Sequence, residues 1–363
     1  MRNRRMGEDT ELDAPERRIS ENRRDNMRRA LMALLCIALI FAMAAMAEME
    51  VITDVPIAEA NVAEGNVSGV SGTTGLPTEK PDRVMVSQMD NEPGARPQKG
   101  IGSADIVYET ETYNGGYTRY TAVFNDTIPE QIEAIRSARM VHIDLFEEYG
   151  GAFIHYGAQY AEGSNAEEYL EQVGYGARYD GIKGISGFYR DKSRKAPNNV
   201  VCKLKDLYDK TDWTNVVCRS PLKFSETLYT QQGEAVNQFD VTYRDGSYHP
   251  SYVYSDGKYL RYYNGKPHKD GTTGAQLAYD NVIVQHAAYS WYDGDGDRPI
   301  VALFGRNTCD YFIGGMHFTG YWERSDVNSS TRYYDDAGNE VLFKPGKTFI
   351  QILKEGKEIT YAG

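Results

Sequence analysis

The chain has 363 residues, with 40 lysines and arginines against 52 aspartates and glutamates, a formal net charge of −12, and 28 tyrosines beside only 12 phenylalanines. Nine arginines and seven acids fall in residues 1–29, so the remaining 31 basic and 45 acidic side chains give everything from Glu48 onward a net charge of −14. Such a field repels phosphate polymers over most of the surface and excludes nucleic acid as a partner, while the tyrosine excess suits sheet surfaces that are apolar at the ring and wet at the hydroxyl.

Residues 1–29 read as a cytoplasmic arm, and 30–47 (ALMALLCIALIFAMAAMA) as an uncharged run of 18 residues. As a helix this run would be about 27 Å long, close to a bilayer core of about 30 Å. Arginines up to Arg29 precede it and Glu48, Glu50, Asp54 and Glu59 follow it, which leaves the N-terminus in the cytoplasm and the rest outside. The expected localisation is therefore a cell membrane, crossed once, with the folded part extracytoplasmic. The alternative is secretion after cleavage at Ala47, because Ala45-Met46-Ala47 has the small-residue spacing of a signal-peptidase site.

Residues 48–81 carry Glu, Val, Gly, Ser, Thr and Pro without a sustained period and read as a flexible tether. In the next stretch, 82–230, strands are predicted at 83–89, 105–111 and 117–125, the last two joined as a hairpin across Asn114-Gly115-Gly116. Helical spacing over 137–149, with Ser137 as N-cap, predicts an amphipathic helix, followed by a strand at 153–157. Shorter helices are expected at 165–173, capped by Asn165, and at 203–211. This mixture predicts an α/β (α+β) first domain, sheet layered with helices. After a break near 231–237 the texture becomes tyrosine-rich segments punctuated by Asp-Gly, Asn-Gly and Gly-Gly. Strands at 239–244, 251–254, 259–263, 281–286, 300–304 and 349–353 predict a mostly β domain over 238–363.

Cys202, Cys218 and Cys309 are too few and too unevenly spaced for a disulfide framework or a zinc site. Buried free thiols are one reading, a Cys202–Cys218 bridge the other. Asp293, Asp295 and Asp297 alternate like the acids of a calcium loop, but Arg298 and Phe304 stand where the EF-hand template needs Gly and Glu. An exposed acidic turn fits better than a Ca²⁺ site, and no cofactor is expected.

The chemistry-bearing residues concentrate between Asn91 and His155. Arg96, Arg119, Arg136 and Arg139, with Asp105 and Glu109 on the strands and Arg190 and Arg194 downstream, could form a pocket whose guanidinium forks hold a carboxylate or phosphate. The bland alternative is a set of structural ion pairs between strands and loops. His142 and His155 are candidate general bases, although neither is accompanied by a nucleophile elbow.

Asn91, Ala95-Arg96-Pro97-Gln98-Lys99-Gly100, Ala104-Asp105-Ile106-Val107-Tyr108-Glu109, Thr118-Arg119 and Arg136-Ser137-Ala138-Arg139 together resemble the YerB family of bacterial envelope proteins. The later residues Asn264-Gly265, His268, Asp270, Thr273-Gly274, Asn281 to Val284 and Thr319 to Trp322 resemble its second domain, so the resemblance covers about 82–360. It implies a secreted or membrane-held protein, often of lipoprotein type, with an α/β first domain, a β-rich second and no established activity. The sequence departs from the family at Glu133-Ala134-Ile135, where Gly-Pro-Val is usual, and at Pro197-Asn198-Asn199, where Pro-His-Asn is usual. The second departure removes an imidazole.

The residues thus point to an envelope protein that binds an anionic small ligand or cell-wall component, with Asn91, Arg96, Gln98, Asp105, Glu109, Arg119, Arg136, Ser137, Arg139 and His155 as candidate contacts. The alternatives are a hydrolase or transferase using Glu109, His155 and Asp105, and a protein–protein scaffold.

Overall fold

Runs of valine, isoleucine and tyrosine alternating with polar residues build one long mixed sheet through which both halves of the chain pass. The computed structural model describes residues 62–63, 69–161, 163–173, 176–244, 248–292 and 295–361. The apolar run at 30–47 lies outside them, and among the described residues no helix is long and apolar enough to cross a membrane.

The first half supplies β1 (Met85–Asp90), β2 (Ile106–Tyr113), β3 (Tyr117–Phe124), α1 (Met140–Tyr149), β4 (Ala152–His155), α2 (Ala166–Val173), β5 (Ala177–Asp180) and α3 (Leu204–Lys210). The second supplies β6 (Glu234–Ala235), β7 (Gln238–Val241), β8 (Pro250–Ser255), β9 (Lys258–Tyr263), β10 (Asn281–Ala287), β11 (Gly305–Ile313), β12 (Met316–Arg324), β13 (Arg332–Asp335), β14 (Thr348–Lys354) and β15 (Ile359–Tyr361). The long sheet runs β6-β12-β11-β10-β14-β2-β3-β1-β4-β5, with β13 beside β12. Parallel pairings of β10 with β14, β14 with β2, β1 with β4 and β4 with β5 make six strands run the same way, with β3 antiparallel between β2 and β1. A second sheet, β9-β8-β7-β15 with short flanking strands, packs on one face.

Both faces of the long sheet are covered, which is why β1 is buried at every position and β2 at all but its last. On one face Val86, Tyr108, Phe153, Ile283 and Ile350 join Val141, Ile143, Leu145 and Phe146 of α1 in a single core. On the other, Met89, Tyr120, Val282, Phe312 and Phe349 meet Phe239 and Tyr252 of the second sheet. The Phe239 ring stacks 3.6 Å from Phe312 and 4.9 Å from Tyr252.

Strand predominates in the described residues, so the fold is mostly β with mixed sheets, and the first half is less helical than the sequence suggests. Several local expectations change. Ser71, Thr73 and Thr74 are buried and bonded to Asp105 and Asp126, so the segment read as a tether is already part of the fold there. Arg139, not Ser137, occupies the cap of α1, because the Ser137 hydroxyl donates instead to the Tyr156 carbonyl at 3.0 Å. Asn165 caps α2 as expected, its Oδ1 accepting from Glu167 and Glu168 N–H at 3.1 and 3.2 Å. The predicted hairpin forms with Gly115 and Gly116 at φ +92° and +78°, where a Cβ on Gly116 would lie 2.5 Å from the Tyr243 carbonyl. The three described cysteines are buried free thiols, which removes the Cys202–Cys218 bridge.

Because Phe239 joins the second sheet to the first, Phe239→Ala is expected to lower unfolding free energy by about 3–5 kcal/mol in urea titrations. A loss below about 1 kcal/mol would show that the two sheets do not depend on this contact.

Candidate functional site

Arg119 stands on β3 opposite Asp90 of β1 and Thr110 of β2. Directly paired residues face the same side of a sheet, so all three share the face that α1 covers. The segment entering α1 is laid across the ends of the strands by backbone bonds: Arg136 N–H to the Gln88 carbonyl at 3.0 Å and Ala138 N–H to the Gly157 carbonyl at 3.0 Å. This places Arg136 and Arg139 at the carboxyl ends of β1, β2 and β4, where open α/β sheets commonly hold ligands.

The centre of the group is the Tyr113 phenol. Arg139 Nη2 donates to its hydroxyl at 2.7 Å, and the guanidiniums of Arg139, Arg298 and Arg119 lie 5.3, 5.6 and 6.0 Å from its ring centroid. Arg136 differs, since its Nε lies 3.2 Å from Asp90 and its Nη2 4.0 Å from Glu92. Among the described residues, Arg119 and Arg139 hydrogen-bond to neutral oxygens, the former to the Ser137 carbonyl at 2.7 Å and the latter to Tyr113 and the Ala138 carbonyl, while the Asp90 carboxylate acts on Arg119 by charge alone. Burial, followed by repulsion from Arg139 and Arg136, brings the Arg119 pKa down to about 9. Burial also lowers Arg139. For Tyr113 burial alone would raise the phenol, but Arg139, Arg119 and Arg298 outweigh it and lower it.

His142 faces the same charges. Burial, then Arg119 and Arg139, keeps its imidazole well below the ordinary range and therefore neutral. Its Nδ1 accepts from the Arg139 backbone N–H at 3.1 Å, so the proton sits on Nε2, which is buried and makes no hydrogen bond. Gln88 Nε2, Thr110 Oγ1 and Arg139 Nε are buried without a hydrogen bond as well. Gln88 lies on the same face, two residues before Asp90. His155 is also there but occupied: its Nδ1 donates to the Gly157 carbonyl at 2.9 Å, and burial lowers its pKa.

The other sequence-predicted residues fall into two separate groups. Asn91, Arg96, Gln98 and Glu109 lie in a network on the opposite face of the sheet. Arg261 Nη2 donates to Glu109 Oε2 at 2.6 Å with both side chains fully buried, and Glu109 Oε1 accepts from Asn91 at 2.9 Å and Thr118 at 2.6 Å. His268 links Arg261 Nη1, at 2.9 Å, to Gln98 Oε1, at 3.0 Å. Arg96 donates from Nε to Asn91 Oδ1 at 2.9 Å and lies over Tyr248 and Tyr263 at 4.8 and 4.7 Å. The four arginines expected in one pocket are thus split between the two faces, Arg96 apart from the other three. Arg190 and Arg194 bond to Asn199 and to the Ala95 and Pro97 carbonyls, respectively.

Asp105 is at the amino end of β2, accepting from Thr73 at 2.8 Å and from Asn125 and Asp126 N–H at 2.9 Å each. Burial, then the Asp126 charge, raises its carboxyl to about 7. An acid–base set of Glu109, His155 and Asp105 is therefore excluded: Glu109 and His155 project from opposite faces, and Asp105 is at the far end of the strand. Asp293 and the Asp295 side chain lie outside the described residues, and among those described no three His, Cys, Asp or Glu form a metal-sized cluster. Sequence reasoning missed Tyr113 and Arg298 as members of the cationic group. Tyr113 precedes a glycine turn and reads as hairpin filler, and Arg298 is hidden in an acidic stretch.

Residues 73–216 match the family described as "Protein of unknown function (DUF3048) N-terminal domain", and 239–350 match its C-terminal domain. The chain belongs to the DUF3048 family. It is 28% identical over 296 residues to the Bacillus subtilis (strain 168) protein described as "Putative lipoprotein YerB", covering 78% of this chain and 85% of that protein. The crystal structure of YerB protein from Bacillus subtilis superposes with a TM-score of 0.68 at 26% identity, over 80% of this chain and 99% of that one. Within the DUF3048 framework, Arg119, Arg136, Arg139 and Tyr113 come from the N-terminal segment and Arg298 from the C-terminal one, so both segments contribute to the cationic group.

Two outcomes follow from these geometries. Replacing Glu109 with alanine strands the Arg261 charge in the core and is expected to lower unfolding free energy by about 3–5 kcal/mol, whereas the double replacement with Arg261→Met should cost less than the two single changes added together. For Asp105 the folded carboxyl, at about 7, holds its proton more tightly than the ordinary value of 3.8. Its contribution to stability is full below the lower value and is lost as pH rises through the higher one. Melting temperatures of Asp105→Asn relative to the parent should therefore shift in the variant's favour from pH 4 to pH 7.5, and a constant difference would contradict the assignment.

Proposed function

We propose that this protein is an extracytoplasmic, membrane-held binding protein that captures a phosphate- or carboxylate-bearing envelope component at the guanidinium group around Tyr113. The observation that carries this reading is the pairing of buried Arg119 and Arg139 with neutral oxygens. A buried guanidinium is ordinarily hydrogen-bonded to a carboxylate, as Arg261 is here, and one whose hydrogen bonds go to neutral oxygens, with Asp90 as the sole opposing charge acting on Arg119 among the described carboxylates, retains attraction for an incoming anion. Arg298, from the second half, lies over the same ring at 5.6 Å. His142 Nε2–H and Gln88 Nε2–H are neutral donors on the same face, suited to the outer oxygens of such a group.

Binding rather than catalysis fits the side chains present. Burial raises the thiols of Cys202, Cys218 and Cys309, away from nucleophilic use. The Ser137 hydroxyl is committed to a carbonyl, and both imidazoles near the group are held neutral by burial. A scaffold reading has less support, because the described second half exposes only Phe304 and Tyr361 among large apolar side chains. Attachment to the membrane rests on the 30–47 run and on the lipoprotein description of the Bacillus relative.

Calorimetric titration of the full-length chain with phosphate- and carboxylate-bearing wall fragments tests the proposal. Arg119→Gln and Arg139→Gln should each weaken binding by about 1.5–3 kcal/mol, the usual range for a charged hydrogen bond, and raised salt should weaken it further in the parent. Binding of these fragments that ignores both substitutions would overturn the site.

A further inference from the structure

A cleft of about 640 Å³ opens beside the first turn of α1, lined by Met140, Tyr160, Asn165, Glu168, Tyr169 and Gln172. Its size falls within the range of about 300–1,000 Å³ usual for small-ligand sites. One wall is a two-stranded hairpin in which Tyr160 pairs with Asn165 and Ala161 with Ser164. The other is α2, with Glu168 and Gln172 four residues apart on its exposed side, hence neighbours on one helical stripe. The Tyr169 hydroxyl donates to Asp144 at 2.6 Å, which fixes that ring as part of the base.

Tyr160 is 82% exposed, the largest exposure among the big apolar side chains of the described residues. No core needs it, and the hairpin that presents it is held from below: Gln159 Nε2 donates to Ser164 Oγ at 2.6 Å and Ala166 N–H to the Gln159 carbonyl at 3.0 Å. An open aromatic face beside carboxylate, carboxamide and hydroxyl groups suits one chemistry. A pyranose ring offers a patch of C–H groups that packs on an aromatic face and a rim of hydroxyls that both donate and accept.

The cleft also connects covalently to the cationic group. Met140 follows Arg139 directly, and the hairpin grows from a segment bonded to the arginine-bearing segment before α1, with Tyr156 N–H on the Arg136 carbonyl at 3.0 Å and Gln159 N–H on the Ala138 carbonyl at 2.9 Å. We infer that the cleft is a saccharide subsite, with Tyr160 as its stacking platform and Glu168 and Gln172 as its hydroxyl partners. Its ligand is an acidic glycan whose negative group is held by the neighbouring guanidiniums, and this second part rests on the function proposed above.

Two probes separate the parts: a neutral N-acetylglucosamine tetramer and a hyaluronan tetrasaccharide, which carries carboxylates, each titrated into the full-length chain. The acidic probe should bind more tightly than the neutral one. Tyr160→Ala, an exposed change that leaves the core intact, should weaken both by roughly tenfold, about 1.4 kcal/mol, and Gln172→Ala should weaken both in the same direction. Arg139→Gln should weaken the acidic probe alone. If neither saccharide binds while simple phosphate or carboxylate ligands still do, the saccharide subsite is wrong and the anion site stands. Saccharide binding that is indifferent to Tyr160 and Gln172 also overturns the subsite. Loss of all anion and saccharide binding overturns both.

Discussion

The ion pair between Glu109 and Arg261 sets the terms for the rest of the molecule. Removing two charges from water costs several kcal/mol per ion, and only a complete set of partners offsets it. Here the set is nearly complete: Asn91 and Thr118 take one carboxylate oxygen, Arg261 the other, and His268 stays neutral so that it can accept from Arg261 and donate to Gln98. Burial, then the Arg261 and Arg96 charges, keeps His268 well below its ordinary range, which supports that tautomer. The partners come from positions 91–118 and 248–268, so the network closes only when β2, β3, β8 and β9 are correctly stacked. An apolar contact could give similar stability, but it would tolerate sliding that these hydrogen bonds do not.

The sheet enforces the same arrangement. β14, near the end of the chain, lies between β10 and β2, parallel to both, with Ile350 beside Tyr108 and Ile283. The two DUF3048 segments therefore share one hydrogen-bonded sheet, and β2 cannot be covered on its outer edge without the second segment. Phe349 reinforces this, its ring lying under the Arg261 guanidinium at 4.6 Å and against Tyr279 at 5.0 Å.

Much of this was legible in the sequence where local pattern and tertiary context agree. β1, β2, β3, β10 and β14 carry alternating or continuous Val, Ile and Tyr, and α1 and α2 show helical spacing. β11 and β12 were not legible as a hairpin, because Gly305, Asn307, Asp310 and Gly320 are poor strand formers taken alone. Their fit is tertiary: Asp310 accepts from His286 and His317 at 2.8 Å each, and a Cβ on Gly320 would lie 2.0 Å from the Tyr334 carbonyl. Clustering of arginines along the sequence was also readable, but not which face each would join. Arg96 leaves the β1 face through the turn after Asp90, and that turn decides its separation from Arg119. Arg261 and Arg298 arrive from more than a hundred residues away and leave no local sign.

The two groups of arginines show opposite solutions to one problem. Arg261 is matched by a carboxylate, a neutral imidazole and three aromatic faces, with only its Nε left without a hydrogen bond, so its charge is committed to the structure. Arg119 and Arg139 are nearly as buried, yet they are given carbonyls and a phenol, and burial depresses both. The negative charge of the region beyond Glu48 does not cancel this difference. Exposed acids are screened over about 8–10 Å at physiological salt, whereas the guanidiniums around Tyr113 act at contact distance in a poorly screened site. On the function proposed here, a free anion would meet repulsion at long range and attraction only on arrival, which would favour ligands that are brought close by other contacts before their charge is engaged.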